Sequence, residues 1–230
     1  MQVALVSVGD ELLAGDTVNT NAAWLGERLA ERGASVERVV VVPDRESDIA
    51  RVVNELRADY EAVIVTGGVG PTHDDLTMDG VAAAVGVPVE EHDDAAAWIA
   101  DNTDYERADL VEGTTRLPKG SRMLPNEKGV APGCAIEGIY VLPGVPEEMK
   151  AMFESVAEEF AGQKRHVLVV ETDEPESALV ERFAELRERF DVTVGSYPGD
   201  HVRVKLQSTD EDELERAATW LRERVQSVQR

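Results

Sequence analysis

The sequence predicts an α/β protein with a mostly parallel sheet, followed by a small α+β unit. Over residues 2–85, apolar runs rich in β-formers alternate with segments whose apolar residues recur at helical spacing, in the order β-α-β-α-β-α. This order is typical of right-handed crossovers that cover a parallel sheet with helices. After a polar stretch at residues 162–165 the pattern changes to β-α-β-β-α. We therefore predict two domains, residues 1–162 and residues 166–230.

The composition indicates a globular protein with a strongly acidic surface. Hydrophobic residues make up 43% of the chain, and 46 acidic residues against 23 basic ones give a net charge of −23. The repulsion among such charges is screened at about 1 M salt, where the Debye length is roughly 3 Å, so we interpret the surface as halophilic. A chain without basic patches is not expected to bind nucleic acid, which draws affinity from cations on phosphates.

Neither a membrane partner nor a disulfide is expected. The chain has no apolar run near the roughly 20 residues of a membrane span and no basic segment of a signal peptide. We therefore expect a cytoplasmic protein. Cys134 is the single cysteine, which excludes an internal disulfide and a thiolate metal cluster.

The first predicted strand, Gln2–Val8, leads into a polar loop that carries Asp10. We expect Thr20 or Asn21 to cap the following helix, which ends at Gly33. Open α/β sheets place their ligand sites at the carboxyl ends of the strands. Asp10 leaves such an end, although an ordinary loop acid is an equally good interpretation of this residue.

The next elements lead to the stretch that carries most of the chemistry. A strand is predicted at residues 36–42, a helix at residues 48–56 and a further strand at residues 62–65. The last of these is apolar without alternation, which is typical of a strand buried on both faces of a parallel sheet. A helix then begins near Thr77 and ends at Gly86.

Between this strand and this helix lies a turn that contains Gly67, Gly68 and Gly70. Glycine admits positive φ and lets backbone N–H groups approach an oxyanion, as in phosphate-binding loops. Asp74 and Asp75 follow, and they would repel a phosphate unless a hard cation such as Mg²⁺ lay between them. The alternative is structural: the glycines form a tight turn and the two carboxylates cap a helix.

The middle of the chain is less regular. A helix is predicted at residues 90–102, no element is assigned over residues 103–117, and short strands are predicted at residues 122–124 and 134–142. The loop at residues 126–133 mixes Asn, Gly, Pro and one Lys, so it serves either as a β-turn or as a wall of a site.

A second candidate anion site follows the strand at residues 134–142. Pro146 suits the first position of a helix, and Gly144 permits a sharp turn, which leaves free N–H groups at the positive end of the helix. Glu147 and Glu148 favour the same helix dipole by ordinary electrostatics.

The small unit is predicted to have strands at residues 166–171, 192–197 and 202–207 and helices at residues 176–189 and 211–225. Both helices carry an apolar stripe and a charged outer face. No catalytic group of residues stands out there, so we predict an interaction or support role for this unit.

Four motifs occur in one order within the first 150 residues: GDELLAGDTVNTN, TGGVGPTHDDLT, NEKGVAPG and LPGVPEEM. Together they resemble the N-terminal domain of the CinA family, which is related to molybdopterin-binding proteins and to the N-terminal domain of eukaryotic FAD synthases. The residues after 165 resemble the small domain that follows it in CinA-type proteins. The resemblance implies a three-layer α/β/α fold, a pocket for a nucleotide or a pterin at the carboxyl edge of the sheet, and a homo-oligomer.

The resemblance also implies chemistry at a phosphate. CinA-type domains are associated with metal-dependent hydrolysis of ADP-ribose, the related domain of FAD synthases with FAD hydrolysis, and molybdopterin adenylyltransferases with adenylyl transfer. Val69 stands where CinA sequences usually have Leu and adenylyltransferases have Thr, which favours the CinA branch. Because the chain ends at Arg230, we do not expect the amidohydrolase activity of longer CinA proteins.

Carried over residue by residue, the resemblance assigns roles to the motif residues. The expected catalytic set is Asp10, Asp74 and Asp75, with a divalent metal (Mg²⁺, Mn²⁺ or Co²⁺) on Asp74 and Asp75. The expected phosphate- and substrate-binding set is Gly67, Gly68, Gly70, Thr72, Thr77, Asn21, Gly144 and Pro146.

These observations predict a metal-dependent nucleotide pyrophosphatase that acts on ADP-ribose or a similar dinucleotide such as FAD. Two alternatives remain open: a molybdopterin-binding or adenylylating protein of molybdenum cofactor metabolism, and a pterin- or nucleotide-binding module without turnover. All three place the small-molecule ligand at the glycine turn.

Overall fold

The computed structural model describes residues 1–70, 72, 75–102, 113–162 and 166–228. The chain divides into two units, Met1–Gly162 and Gln163–Arg230. Each unit has its own sheet and its own buried apolar residues.

The first unit is organised around a mixed sheet. Its strands are, in chain order, β1 Gln2–Val8, β2 Ser35–Val42, β3 Ala62–Thr66, β4 Val89–Glu91, β5 Arg116–Pro118, β6 Arg122–Leu124, β7 Gly133–Ile136 and β8 Ile139–Leu142. The sheet has the order β2-β1-β3-β8-β7-β6, and β4 pairs with β5 separately. Strands β2, β1, β3 and β8 run parallel, whereas β7 and β6 are antiparallel additions at one edge. The predicted mostly parallel sheet is confirmed.

Helices cover both faces of this sheet. They are α1 Asp10–Ala14, α2 Thr20–Glu31, α3 Glu46–Asp59, α4 Thr77–Val85, α5 Asp93–Asn102 and α6 Pro146–Val156, which continues as a 3-10 turn over Ala157–Phe160. Side chains of α3, α4 and α5 join the buried cluster on one face, and those of α2 and α6 join the cluster on the other. The three-layer α/β/α arrangement follows from these two clusters.

Strand β1 shows why the predicted strands carry continuous apolar runs. Ala4 and Val6 belong to the cluster under α3 and α4, while Val3 and Leu5 belong to the cluster under α2 and α6. All four are at most 2% exposed. Because successive side chains of a strand point to opposite faces, a strand buried on both faces needs apolar residues at every position.

Two predictions near the start of the chain are wrong. Asp10 does not lie in a loop but begins the short helix α1. The cap of α2 is neither Thr20 nor Asn21 but Asn19, whose Oδ1 accepts a hydrogen bond from the N–H of Ala22 at 3.1 Å. A cap reaches the N–H three residues further on, so it must precede the first helical residue, which is Thr20.

The predicted single strand at residues 134–142 is a hairpin. Strands β7 and β8 pair antiparallel through a turn at Glu137 and Gly138, which have φ values of 48° and 78°. A two-residue hairpin of this kind needs positive φ at both central positions. Glutamate seldom adopts positive φ, so the first position of this turn gave no sequence signal.

The predicted helix at residues 90–102 begins later than expected. Residues Val89–Glu91 form strand β4, and the helix α5 starts at Asp93. The stretch left without assignment, residues 103–117, contains the start of β5, and residues 103–112 of it lie outside the described part of the chain.

The second unit has the predicted order β-α-β-β-α. Its elements are β9 His166–Thr172, α7 Val180–Arg189, β10 Thr193–Tyr197, β11 Val202–Ser208 and α8 Glu211–Arg222. The antiparallel sheet has the order β10-β11-β9, and side chains of α7 and α8 share one buried cluster with it. None of the helices in the described part of the chain combines the length and the apolar character that crossing a bilayer requires.

An ion pair holds the loop after β9 to α7. Both guanidinium Nη atoms of Arg182 bind the carboxylate of Glu174, at 2.8 and 2.5 Å, and the N–H of Gln226 donates to the same carboxylate at 2.8 Å. The Arg182 hydrogen bonds, followed by the Gln226 N–H, lower the pKa of Glu174 from 4.5 to about 2. The ionised carboxylate therefore stabilises the folded second unit.

We expect Phe153→Ala to destabilise the first unit strongly. The Phe153 ring is fully buried and lies 5.6 Å from the Trp24 ring and 5.5 Å from the Phe160 ring, centroid to centroid. Loss of this ring should lower the free energy of unfolding by about 3–5 kcal/mol in a denaturant titration. Ser155→Ala, on the exposed side of α6, should change it by less than about 0.5 kcal/mol. Equal effects of the two substitutions would contradict this packing.

We expect Glu174→Gln to reduce the acid sensitivity of the second unit. A carboxyl group whose pKa is lower in the folded state adds stability above its unfolded pKa, and this stability is lost as the pH falls through the folded pKa. The wild-type melting temperature should therefore fall from about pH 4.5 to about pH 2 more steeply than that of Glu174→Gln. Glu185→Gln, an exposed carboxylate on α7, should keep the wild-type slope; a variant at Glu174 with that same slope would refute the assignment.

Candidate functional site

Four parallel strands end at one edge of the first sheet, and a cleft of about 280 Å³ opens there. Val8 and Thr66 reach it from the ends of β1 and β3. Asp44 reaches it after the end of β2, and Gly144 after the end of β8. Open α/β sheets bind ligands at this edge.

The glycine turn after β3 forms one wall of the cleft. Gly67 and Gly68 have φ values of 97° and 61°, which side-chain-bearing residues rarely adopt. A Cβ atom at Gly67 would overlap the carbonyl oxygen of Val8, and one at Gly68 would overlap the hydroxyl of Thr77. Both positions therefore require glycine on two independent grounds, φ and space.

Thr77 holds this turn from beneath. Its N–H donates to the carbonyl of Gly68 at 3.0 Å, and its hydroxyl donates to the carbonyl of Gly67 at 2.8 Å. Thr77 is fully buried and does not line the cleft, so the structure places this predicted phosphate ligand under the turn. No hydrogen bond among the described residues uses the N–H groups of residues 68–70.

Asp75 closes the turn on its other side. The N–H of Thr72 donates to Asp75 Oδ2 at 2.9 Å, the Thr72 hydroxyl donates to the same oxygen, and the Asp75 N–H returns a bond of 3.0 Å to the Thr72 carbonyl. Gly70 faces this carboxylate, because a Cβ there would lie 2.7 Å from Asp75 Oδ2. Thr72 and Asp75 both line the cleft.

Asp44 is a carboxylate of the cleft that the sequence reasoning missed. Its Oδ2 accepts a hydrogen bond from the N–H of Asp10 at 2.8 Å. Asp10 itself is exposed and is not among the residues that line the cleft. The signal that points to Asp44 is its position two residues after β2, at the edge where Asp75 also lies.

The second turn packs directly on the first. Asn21 Nδ2 donates to the carbonyl of Gly144 at 2.8 Å, which joins the start of α2 to the turn before α6. A Cβ at Gly144 would lie 3.3 Å from the Cα of Gly67. Pro146 occupies the first turn of α6 at the cleft wall.

Most of the predicted site residues therefore meet in one place. The predicted residues that line the cleft are Asn21, Gly67, Gly68, Thr72, Asp75, Gly144 and Pro146. Gly70 lines a second cleft on the other side of the turn. Asp74, a predicted catalytic and metal-binding residue, lies outside the described part of the chain.

The loop at residues 126–133, predicted as a β-turn or a site wall, is held against α6. Its buried Asn126 donates through Nδ2 to the carbonyl of Ala131 at 2.9 Å and to Glu148 Oε2 at 2.8 Å. Pro132 contributes to the second cleft. The Glu148 carboxylate thus anchors this loop besides lying at the positive end of a helix.

The charge of the cleft is one-sided. Glu11, Asp44 and Asp75 line it, and no lysine, arginine or histidine is among the described residues that do. Within the described ranges, no three His, Cys, Asp or Glu side chains are close enough together to hold a metal ion by themselves. One of the lining residues, Val18, is an apolar side chain that is 78% exposed.

Thiolate chemistry is not available in this unit. Cys134 is fully buried, and burial raises the pKa of its thiol to about 12. Its Sγ lies 3.6 Å from the Sδ of Met78 in the core. The residue acts as a small apolar side chain.

The fold and the cleft define an α/β protein with a cleft at the carboxyl edge of its sheet. A family described as a probable molybdopterin binding domain matches residues 4–163, and a family described as the middle domain of FAD synthase matches residues 164–229. The chain belongs to the molybdopterin-binding domain family, and its first unit is a CinA-like N-terminal domain.

Individual relatives agree with this family. A protein of Archaeoglobus fulgidus is 34% identical over 97% of this chain and 97% of its own length. A putative competence-damage inducible protein of Desulforudis audaxviator is 35% identical over 98% of this chain, which spans only 59% of that longer relative. The crystal structure of the protein CinA from Thermoplasma acidophilum, described as having unknown function, matches with a TM-score of 0.63 and 33% identity over 69% of this chain and 97% of that one.

We expect Thr77→Val to loosen the glycine turn. Valine keeps the shape of threonine but leaves the carbonyl of Gly67 without its side-chain donor, and an unsatisfied buried group costs about 1–3 kcal/mol. Thr77→Ser keeps the hydroxyl and should be the more stable variant in a denaturant titration. If Thr77→Val proves as stable as Thr77→Ser, the hydroxyl does not hold the turn.

Proposed function

We propose that this chain is a metal-dependent nucleotide pyrophosphatase that acts on ADP-ribose or a similar dinucleotide such as FAD. The observation that carries the proposal is the cleft itself, which is lined by three carboxylates and by a glycine turn whose N–H groups at residues 68–70 bond to none of the described residues. Unused N–H donors suit phosphate oxygens, whereas carboxylates alone would repel them. The two features are compatible when a cation accompanies the phosphate.

The donor set of the cleft fits a hard divalent cation. Asp44 and Asp75 line the cleft and would supply oxygen ligands, since Mg²⁺ is usually held by one or two carboxylates together with substrate phosphates and water. Such an ion, Mg²⁺, Mn²⁺ or Co²⁺, would neutralise the diphosphate and lower the pKa of a bound water. A site of this kind needs no third protein ligand, because the substrate completes it.

The residues of the chain would then bind and orient the reacting group. The N–H groups of residues 68–70 would donate to the non-bridging oxygens, where negative charge increases in the transition state. The oxygen of water would bond to one phosphorus as the bridging P–O bond breaks, and the second phosphate would leave with the bridging oxygen. The two water protons would pass to the product phosphates, which release them to the solvent. With ADP-ribose the products are AMP and ribose 5-phosphate.

Asp75 has two roles in this proposal. Its Oδ2 accepts both hydrogen bonds from Thr72 and so keeps the turn closed, while its negative charge faces the cleft. The likeness of residues 164–229 to the middle domain of FAD synthase supports a dinucleotide such as FAD among the substrates to be tested.

A second candidate function is supported by the family of the first unit. The family description, a probable molybdopterin binding domain, favours a pterin as ligand, with adenylylation or binding without turnover. The same glycine turn would bind the phosphate of the pterin. A substrate panel separates the two candidates.

The test measures product formation by chromatography from ADP-ribose, FAD and NAD⁺, each with Mg²⁺, Mn²⁺ or Co²⁺ and each with chelator. Molar KCl is used because a net charge of −23 destabilises a compact chain when it is not screened. We expect AMP that forms with metal and not with chelator. A folded protein that yields no product but binds a pterin would overturn the pyrophosphatase proposal in favour of the second candidate.

We expect Asp75→Asn to lower kcat/KM by at least about 100-fold, because it removes a charged ligand of the cation that would stabilise the negative charge of the transition state. Asparagine retains an acceptor for Thr72, so the turn should persist and the melting temperature should hardly change. The matched control is Asp59→Asn, an exposed carboxylate at the end of α3, which should keep wild-type activity. Full activity of Asp75→Asn at saturating metal would remove Asp75 from the mechanism.

A further inference from the structure

A second cleft lies on the other side of the glycine turn. It has a volume of about 210 Å³ and is lined by Val69 and Gly70 of the turn, together with residues of α4 and β5. Thr72 and Asp75 line both clefts. The two cavities therefore meet at the carboxylate that the proposed function places beside the diphosphate.

The two clefts differ in charge: three carboxylates, Glu11, Asp44 and Asp75, line the first, whereas Asp75 and Asp79 line the second together with one basic residue. Among the described residues that line either cleft, Arg116 is the one basic side chain, and it belongs to the second. Its Nη2 donates to the carbonyl of Val89 at 3.2 Å, which fixes the side chain against the β4–β5 pair while the residue remains exposed. A guanidinium so placed can form two parallel hydrogen bonds to a phosphate.

The first cleft is better suited to an apolar group than to a second phosphate. It is the larger of the two, it has no cation among its described lining residues, and Val18, which is exposed, and Leu12 contribute apolar side chains to its lining. Flat apolar groups such as nucleobases bind against side chains of this kind. A molecule with a base at one end and a diphosphate bridge whose distal phosphate reaches the second cleft would match both clefts at once.

We propose that the second cleft binds the half of the substrate beyond the nucleotide, and that Arg116 is a specificity-determining residue that binds the distal phosphate of the diphosphate bridge. This inference rests on the proposed function and adds the orientation of the substrate across the two clefts. The AMP half lies in the first cleft, the bridge crosses the turn at Thr72 and Asp75, and the distal sugar phosphate lies in the second cleft. A substrate without a distal half would leave Arg116 unused.

The test compares AMP and ADP-ribose as ligands of the whole chain, by calorimetry in molar KCl with Mg²⁺, and uses the variants Arg116→Ala and Arg116→Lys. In the titrated ADP-ribose a methylene group replaces the bridging oxygen, so that the ligand is not hydrolysed during the measurement. We expect wild-type protein to bind ADP-ribose more tightly than AMP. Arg116→Ala should weaken ADP-ribose binding about tenfold, as loss of one charged hydrogen-bonding group does, and should leave AMP binding unchanged within about twofold. Arg116→Lys should retain part of the affinity for ADP-ribose, because lysine keeps the positive charge but cannot form the two parallel hydrogen bonds of a guanidinium.

Arg51→Ala is the matched control, since it removes an exposed arginine of α3 that lines neither cleft. It should bind both ligands as wild type does. If Arg116→Ala weakens both ligands equally or neither, or if wild-type protein binds ADP-ribose no more tightly than AMP, the inference is overturned. Hydrolysis is scored separately: an inactive wild type that still shows the Arg116-dependent difference in binding rejects the proposed reaction but not the second cleft.

Discussion

The backbone of the glycine turn is in direct van der Waals contact with the backbone at the ends of the neighbouring strands. The carbonyl of Val8 occupies the place of a side chain at Gly67, Gly144 approaches the Cα of Gly67 from another side, and the Gly67 N–H binds the carbonyl of Leu142 at 3.1 Å. Close packing of this kind fixes the separation of β1, β3 and β8 at the edge of the sheet. These contacts therefore determine the positions of the cleft walls.

The groups that hold this edge together are the same type of group that would contact a ligand. The N–H and the hydroxyl of Thr77 both donate hydrogen bonds to carbonyls of the turn, so these carbonyls point toward α4. The N–H groups of residues 68–70 have no partners among the described residues. Asp75 accepts from Thr72 and faces the cleft. Within this short turn, the carbonyl groups are therefore used for structural support, whereas the N–H groups are the ones that would bind a ligand.

How much of this could be predicted from the sequence depends on the kind of signal. Apart from the short helix α1, the elements of the first 85 residues could be predicted: burial on both faces of a sheet requires apolar residues throughout a strand, and the longer helices show apolar residues at helical spacing. The glycine turn follows from composition, since few residues other than glycine adopt its φ values. The hairpin at Glu137 was missed because glutamate carries no turn preference, and its positive φ is imposed by the pairing of β7 with β8.

The side chains of the site were harder to predict than the elements that carry them. Thr77 has the residue type of a phosphate ligand, but its direction depends on packing beneath the turn, which a linear motif does not encode. Asp44 has no motif around it and becomes visible only when the order of the strands places the end of β2 beside β1. Sequence indicates which residue types are present, whereas sheet order decides which of them meet.

The exposed apolar side of the first cleft has a consequence for how such a protein diverges. Substitution of Gly67 is excluded by sterics, so the glycine turn is held constant by the fold itself. Val18 makes no comparable contribution to the core, and substitutions there cost little stability. Proteins that descend from this chain can therefore change the apolar side of the cleft by mutation while the glycine turn stays unchanged.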